Sequence, residues 1–301
     1  LPDSPGKHAA LVFVSGTALQ DRHENIMRFK LFDALAEICL SQGYAVLRYD
    51  DRGAGQSDTL GAANATTQTF TNDARAALEY LGDNAFVKQD NIGILGHSEG
   101  GLVAAKLAAL HKADFAILMA APALPGNELL LAQTQAILKA NGANPKQIKQ
   151  AKTANQKIYN EVMAEPPNWE KIETTLHQAL NQPGMGQKQI EAQLAQQMGM
   201  LRSPWFRHFL RYNPQQDLQA LAAPTLVLLG EKDTQVPPKA NQKAFRTATK
   251  QSQADVTIKT ISGANHIFQE AKTGAPSEYA TLEKAFSPAF VQALTDRKSV
   301  V

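Results

Sequence analysis

Ser98, Asp233 and His266 are residue types that together can attack a carbonyl carbon, and each follows a short apolar run of the chain. Ser98 lies in Gly96-His97-Ser98-Glu99-Gly100, a G-x-S-x-G pentapeptide between the apolar stretch 91–95 and a helical pattern. A serine hydroxyl is a poor nucleophile until a base takes its proton and a third group orients that base. A sharp strand-to-helix turn lifts such a serine clear of its sheet. Flanking glycines allow the close backbone approach, and the helix N-terminus favours the negative charge that attack creates. His266, in Ser262-Gly263-Ala264-Asn265-His266 just past the stretch 255–261, is the expected base. Asp233, in Gly230-Glu231-Lys232-Asp233 just past 225–229, is the expected orienting acid, with Glu231 its nearest rival. The order serine, acid, histidine is the one that accompanies this kind of turn. His97 is expected to point away from the serine. His8, His23, His111, His177 and His208 read as surface or packing residues.

Acyl transfer also needs donors for an oxyanion, commonly the largest single electrostatic contribution. One donor is expected from the backbone N–H of Glu99, directly after the serine. The other is expected from the loop after the first apolar run, Ser15-Gly16-Thr17-Ala18, with the Thr17 N–H as the choice and Gly16 freeing the chain to turn inward. Peptide groups do this work, so the side chains of Glu99 and Thr17 are expected to be unimportant to it.

These residues must be brought together by regular elements. Five nearly continuous apolar runs, 9–15, 44–49, 91–95, 115–120 and 225–229, read as parallel strands covered on both faces; a sixth, 255–261, alternates more and suits a sheet edge. Helical patterns cover 29–41, 69–81, 101–111, 239–249 and 279–294. Strand–helix alternation predicts an α/β protein with a doubly wound, mostly parallel sheet and right-handed crossovers. The rhythm breaks between Pro122 and Pro224. That glutamine-rich interval has no convincing strand, and Pro145, Pro166-Pro167, Pro183-Gly184 and Pro204 interrupt its helical stretches. It reads as a helical cap insertion at residues 122–222, set into a core of residues 1–121 and 223–301, at the sheet edge where ligand-binding loops gather. Trp205, Phe206 and Phe209 in it either line an acyl pocket or pack the insertion onto the sheet.

Composition narrows the rest. With 301 residues, 44% hydrophobic, 19% charged and a net charge of +2, the chain can bury a large core and has no electrostatic reason to bind nucleic acid. A lone cysteine, Cys39, sits in an apolar helical stretch; it leaves the redox compartment open and reads as a core residue. No apolar run reaches the ~18 residues of a membrane span. Gly53-Ala54-Gly55-Gln56-Ser57-Asp58 imitates a dinucleotide loop, but Asp58 stands where a third glycine belongs. No phosphate-binding Gly-Lys-Ser/Thr and no metal-ligand spacing occur, so no cofactor or metal is implied. Asp50, Asp51 and Arg52 read as a charge cluster that orders its loop.

Gly96 to Gly101, Asp233 and His266 resemble the α/β-hydrolase superfamily, and Tyr49-Asp50-Asp51-Arg52-Gly53-Ala54-Gly55-Gln56-Ser57 looks like its loop after the second strand. Ser15-Gly16-Thr17-Ala18-Leu19-Gln20-Asp21-Arg22, Ser203-Pro204-Trp205-Phe206-Arg207 and Asn265-His266-Ile267-Phe268-Gln269 are similar to a bacterial esterase-like branch, near cinnamoyl and acyl esterases and serine aminopeptidase-like hydrolases. The resemblance spans nearly the whole chain. Ser15-Gly16-Thr17 departs from the His-Gly-X frequent in esterases, and the antiparallel strand pair usual before the first strand is missing. The start at Leu1-Pro2 suggests a removed upstream segment. The expected reaction is hydrolysis of a small-molecule ester, with a small aliphatic or aromatic acyl group, through an acyl-enzyme on Ser98. An aminopeptidase or amidase with the same three residues, anchoring an amine on Glu128, Glu161, Glu165, Glu170 or Glu173, is the first alternative. A non-catalytic binding protein of this fold is the second.

Overall fold

The computed structural model describes residues 1–181 and 186–296. From the N-terminus, β1 (His8–Val14) is followed by a short hairpin, β2 (Asn25–Ile26) and β3 (Phe29–Lys30), then α1 (Leu31–Ser41) and β4 (Ala45–Leu47). Next come α2 (Thr67–Gly82), β5 (Val87–His97), α3 (Glu99–Ala109) and β6 (Phe115–Met119). Among the described residues six helices separate β6 from the next main strand, the first five being α4 (Gly126–Ala140), α5 (Pro145–Met163), α6 (Trp169–Leu180), α7 (Gln187–Arg202) and α8 (Pro204–Arg211). The short α9 (Gln215–Gln219), β7 (Thr225–Gly230), α10 (Pro238–Ala248), β8 (Val256–Ile261) and α11 (Pro288–Thr295) complete the order.

The main sheet is parallel throughout, in the order β4-β1-β5-β6-β7-β8. Thus the run 255–261 does lie at an edge, and β4 forms the other. Alternate residues feed two cores, as a period of two requires. Ala10, Val12 and Val14 of β1 join Leu78, Leu107 and Phe245 on one face. Leu11 and Phe13 join Phe32, Leu35, Cys39 and Phe290 on the other. Leu218 and Leu221 pack in the first of these cores. The helices α4 to α8 enclose a third cluster, with Ile158, Val162, Ile172, Leu201 and Leu210.

Some boundaries differ from the pattern reading. The helix expected from residue 29 starts at Leu31, because Phe29 and Lys30 pair with Ile26 and Asn25 across a tight turn in which Met27 and Arg28 both have positive φ. The helix expected at 279–294 is shortened to Pro288–Thr295: Ser287 caps it and Pro288 takes a first-turn position, where a missing N–H costs nothing. Thr66 caps α2 two residues earlier than expected. Pro145 and Pro204 do not simply interrupt helices; each opens one, behind the N-caps Asn144 and Ser203. Pro183-Gly184 lies outside the described residues.

Register places the site. Val14 pairs with Gly96, His97 with Met119 and Gly230 with Ile261, so the ends of β1, β5, β7 and β8 emerge on one side of the sheet. The chain runs from β1 to β4 in one direction and to β5 in the other, and a crevice opens beyond strands at such a switch. Helix α3 then packs closely against the sheet. A Cβ at Gly96 would stand 2.0 Å from the Gly100 carbonyl oxygen, and one at Gly100 would stand 2.2 Å from that of Val14. Both obstacles are main-chain atoms and cannot step aside. Gly96→Ala should therefore lose about 3 kcal/mol or more of stability. Urea unfolding measures this, and a wild-type midpoint would disprove the tight approach.

Candidate active site

Ser98 joins β5 to α3 with φ 53° and ψ −118°, a conformation that side-chain-bearing residues seldom adopt. Its N–H donates to the Met119 carbonyl at 2.8 Å, which pins the turn to the neighbouring strand. The half-buried hydroxyl faces His266: Nε2 of the imidazole lies 3.0 Å from Oγ. The other ring nitrogen, Nδ1, lies 2.8 Å from Oδ2 of Asp233. Asp233 is buried at the end of β7, and its second oxygen accepts the N–H groups of Gln235 (2.7 Å) and Val236 (2.8 Å). Those bonds fix the carboxylate without a cation. The loop that carries His266 is shaped by Asn265, fully buried, whose Oδ1 accepts from the Ile267 and Gln269 N–H groups. Glu231, the rival acid, instead accepts from Ser262 and Gly263 at the exposed rim.

The loop after β1 passes over the same turn. Ser15 Oγ (2.8 Å) and the Gln20 N–H (3.0 Å) both donate to Oδ2 of Asp51, while the Gly16 N–H donates to Glu24 Oε1 at 2.7 Å. Asp50 accepts three hydrogen bonds from Arg22, two from its guanidinium and one from its backbone N–H, and also accepts the Gln56 N–H, and Arg52 pairs with Asp73. The cluster at 50–52 thus braces two loops at once, its own and the one after β1. The Arg22 guanidinium holds the Asp50 carboxyl well below the ordinary carboxylate range.

The side chain of Glu99 has contacts of its own, apart from any part its peptide plays. It is buried, and its carboxylate accepts from Thr67 Oγ1 (2.6 Å), Thr17 Oγ1 (3.1 Å) and the Trp205 indole N–H (3.0 and 2.9 Å to its two oxygens). Burial raises its pKa against those bonds. The side chains of Glu99 and Thr17 therefore tie α3, α2, α8 and the loop after β1 together. The Glu99 N–H is the first of α3, a position with no intrahelical acceptor.

Ser98, His266, Thr17 and Glu99 line a cavity of about 540 Å³ whose walls include Leu129, Leu130, Tyr159, Trp205, Phe206 and Phe209. Trp205 and Phe206 line this cavity, and both pack against the cluster that α4 to α8 enclose. Trp205 stacks on Phe209 at 5.4 Å. His97 lies behind the serine, its ring 5.0 Å from that of His266 and its Nδ1 2.8 Å from Glu24. The sequence placed His97 beside Ser98. Nothing local announced Glu24 as its partner, 73 residues away.

Burial pushes the Asp51 carboxyl up to about 6, against the bonds from Gln20 and Ser15. An unfolded aspartate titrates near 3.9. A pKa raised by folding means that this contribution to stability is whole below about pH 4 and is lost as pH rises through about 6. Asp51→Asn should accordingly gain stability relative to the wild type between pH 4 and 7, by an amount on the order of 3 kcal/mol at most. Urea titrations across that range test it; a difference independent of pH would show that Asp51 is not the titrating group.

Comparison with known proteins identifies the family. The model of the family described as serine aminopeptidase, S33 (Hydrolase_4), matches residues 8–271. Esterase EstD of Thermotoga maritima is 31% identical over 134 residues, which make up 43% of this chain and 31% of the length of that relative. An esterase structure from Pyrococcus furiosus superposes with a TM-score of 0.55 at 17% identity, covering 87% of this chain and 75% of that one. DcsB, solved with its substrate analogue, gives 0.56 at 17% identity over 98% and 92%. At these identities the two structures establish a shared fold. Among the described residues, no helix is long and apolar enough to cross a membrane. The chain belongs to the serine aminopeptidase, S33 family of α/β hydrolases.

Proposed function

We propose that this chain is a serine carboxyl-ester hydrolase. The observation that carries the reading is the continuous pair of contacts from Ser98 Oγ to His266 Nε2 (3.0 Å) and from His266 Nδ1 to Asp233 (2.8 Å). As Ser98 attacks the ester carbonyl, Nε2 of His266 accepts its proton. Asp233 accepts the Nδ1–H bond, keeps the ring in the productive tautomer and stabilises the imidazolium. The backbone N–H groups of Glu99 and Thr17 receive the oxyanion; the Gly16 N–H is already committed to Glu24, which leaves the Thr17 peptide as the donor on that loop. His266 returns the proton to the departing alkoxide, and water then releases the acyl group by the same steps in reverse.

Helices α4 to α8 act as a cap in this reading. Their apolar side chains, Trp205 and Phe206 among them, receive a small aliphatic or aromatic acyl group, and no cofactor takes part. The family description keeps an aminopeptidase or amidase as the second reading. The acids expected to anchor an amine, Glu128, Glu161, Glu165, Glu170 and Glu173, are not among the described residues that line the cavity, which favours the ester.

A panel of p-nitrophenyl esters varying in acyl length and aromaticity, set against aminoacyl p-nitroanilides, tests the choice. Turnover of the esters alone is expected; preferential turnover of the anilides would replace this reading with the second. Ser98→Ala should lower ester turnover by about four orders of magnitude or more with little change in melting temperature. Near-normal activity in that variant would sink the assignment. Asp233→Ala should lose about as much activity, to the order of 10⁴-fold, while Glu231→Ala stays close to wild type. Loss confined to the Glu231 variant would reverse the choice of acid.

A further inference from the structure

One buried ionisable pair near Ser98 has no part in the proton transfers above. Glu24 and His97 are each 1% exposed. Glu24 stands just before β2 with φ 43°. Its Oε1 lies 2.7 Å from the Gly16 nitrogen and 2.8 Å from Nδ1 of His97; its Oε2 meets no hydrogen-bond partner among the described residues. The second nitrogen of His97, Nε2, lies 3.2 Å from the main-chain oxygen of His266. A carboxylate and a carbonyl oxygen accept but do not donate. Both ring nitrogens of His97 therefore face acceptors, and the doubly protonated imidazolium is the form that satisfies both.

The two main-chain atoms gripped here belong to the two loops that the reaction needs. Gly16 precedes Thr17, and its backbone runs so close to the turn that an added Cβ would stand 3.1 Å from Glu24 Oε1 and 3.2 Å from Ser98 Cβ. The His266 carbonyl is part of the residue whose imidazole meets Ser98. We infer that Glu24 and His97 form a buried carboxylate–imidazolium pair that positions the Gly16–Thr17 peptide on one side of Ser98 and the His266 main chain on the other, an inference that rests on the hydrolase reading above. Neither residue touches the reacting atoms; both are positioning residues. A buried ion pair is weak evidence for stability, since apolar side chains of equal volume often serve as well. Apolar side chains could not hold two main-chain polar atoms in register. The electrostatics agree: burial opposes charge on His97, but Glu24, the His266 carbonyl and Asp233 together outweigh it and raise the pKa.

The two amide replacements of His97 separate the two grips. Asparagine puts an amide nitrogen where Nδ1 stands and keeps the donor to Glu24; glutamine puts one where Nε2 stands and keeps the donor to the His266 carbonyl. With an ester that the wild type turns over, His97→Asn, His97→Gln and Glu24→Gln should each lower kcat by roughly 10- to 100-fold, the scale of a small misplacement of reacting groups, while KM stays within about threefold. Folded variants with kcat within twofold of wild type, or with the change carried by KM, would overturn the inference. The wild type itself supplies a measurement that needs neither turnover nor a variant. Nitrogen-15 NMR of histidine-labelled protein at pH 7.5 should reveal one imidazole with slowly exchanging protons on both ring nitrogens. Finding no such ring would equally overturn it. Wild-type protein that turns over no ester and is not labelled at Ser98 by a fluorophosphonate contradicts the hydrolase reading instead, and the NMR result still decides whether the pair exists.

Discussion

The contact on which the rest depends is the approach of α3 to the sheet at Gly96 and Gly100. Two main-chain carbonyls occupy the space where side chains would otherwise be. The helix can start there because both positions are glycine, and its start fixes Ser98 in a conformation that leaves the hydroxyl free of both the sheet and the helix. The peptide N–H of Glu99 then stands at a helix N-terminus, where donors outnumber acceptors. Every other element of the site is arranged around that fixed point: β1 brings Ser15 to Thr17 alongside, β7 brings Asp233 and β8 brings His266.

Around it lies a shell of buried carboxylates, each with a different partner. Asp233 faces a histidine and two peptide N–H groups, Asp51 a hydroxyl and a peptide N–H, Glu24 a histidine and a glycine N–H, and Glu99 two threonines and a tryptophan. A carboxylate is well suited to this work, because its two oxygens accept from several directions and can join segments distant in sequence. The cost is desolvation, visible in the raised pKa values of Asp51 and Glu99. Buried carboxyl groups, rather than further secondary structure, join these loops.

Much of this was legible in the sequence because the signals are local. Apolar runs marked the strands, glycine spacing marked the turn at Ser98, and positions just past strand ends picked out Asp233 and His266, which the fold brings within hydrogen-bond distance of one another. What escaped depends on contacts between remote segments. The hairpin of Asn25–Ile26 and Phe29–Lys30 displaces a helix start, and its positive-φ residues carry no glycine to announce it. Ser287-Pro288 is a readable start signal, but the helical periodicity extends back to Tyr279 and masks it. The Glu99 side chain was set aside because the peptide group beside it sufficed for the chemistry. Its role emerges only when Thr17, Thr67 and Trp205 converge on it. Asp50, Asp51 and Arg52 were recognisable as loop-ordering charges, but not as a brace for the neighbouring loop.

The indole of Trp205 makes that convergence more than a local detail. It hangs from α8, lines the cavity and donates to the same carboxylate that receives Thr17. The helical segment is thus not an interchangeable module resting on a finished scaffold. A chimera carrying a relative's helices in place of α4 to α8 without an indole at this position would leave Glu99 buried with one donor fewer, beside the loop that holds Thr17. The helices over the cavity and the loop that holds Thr17 are therefore constrained together in this chain, and divergence of one drags on the other.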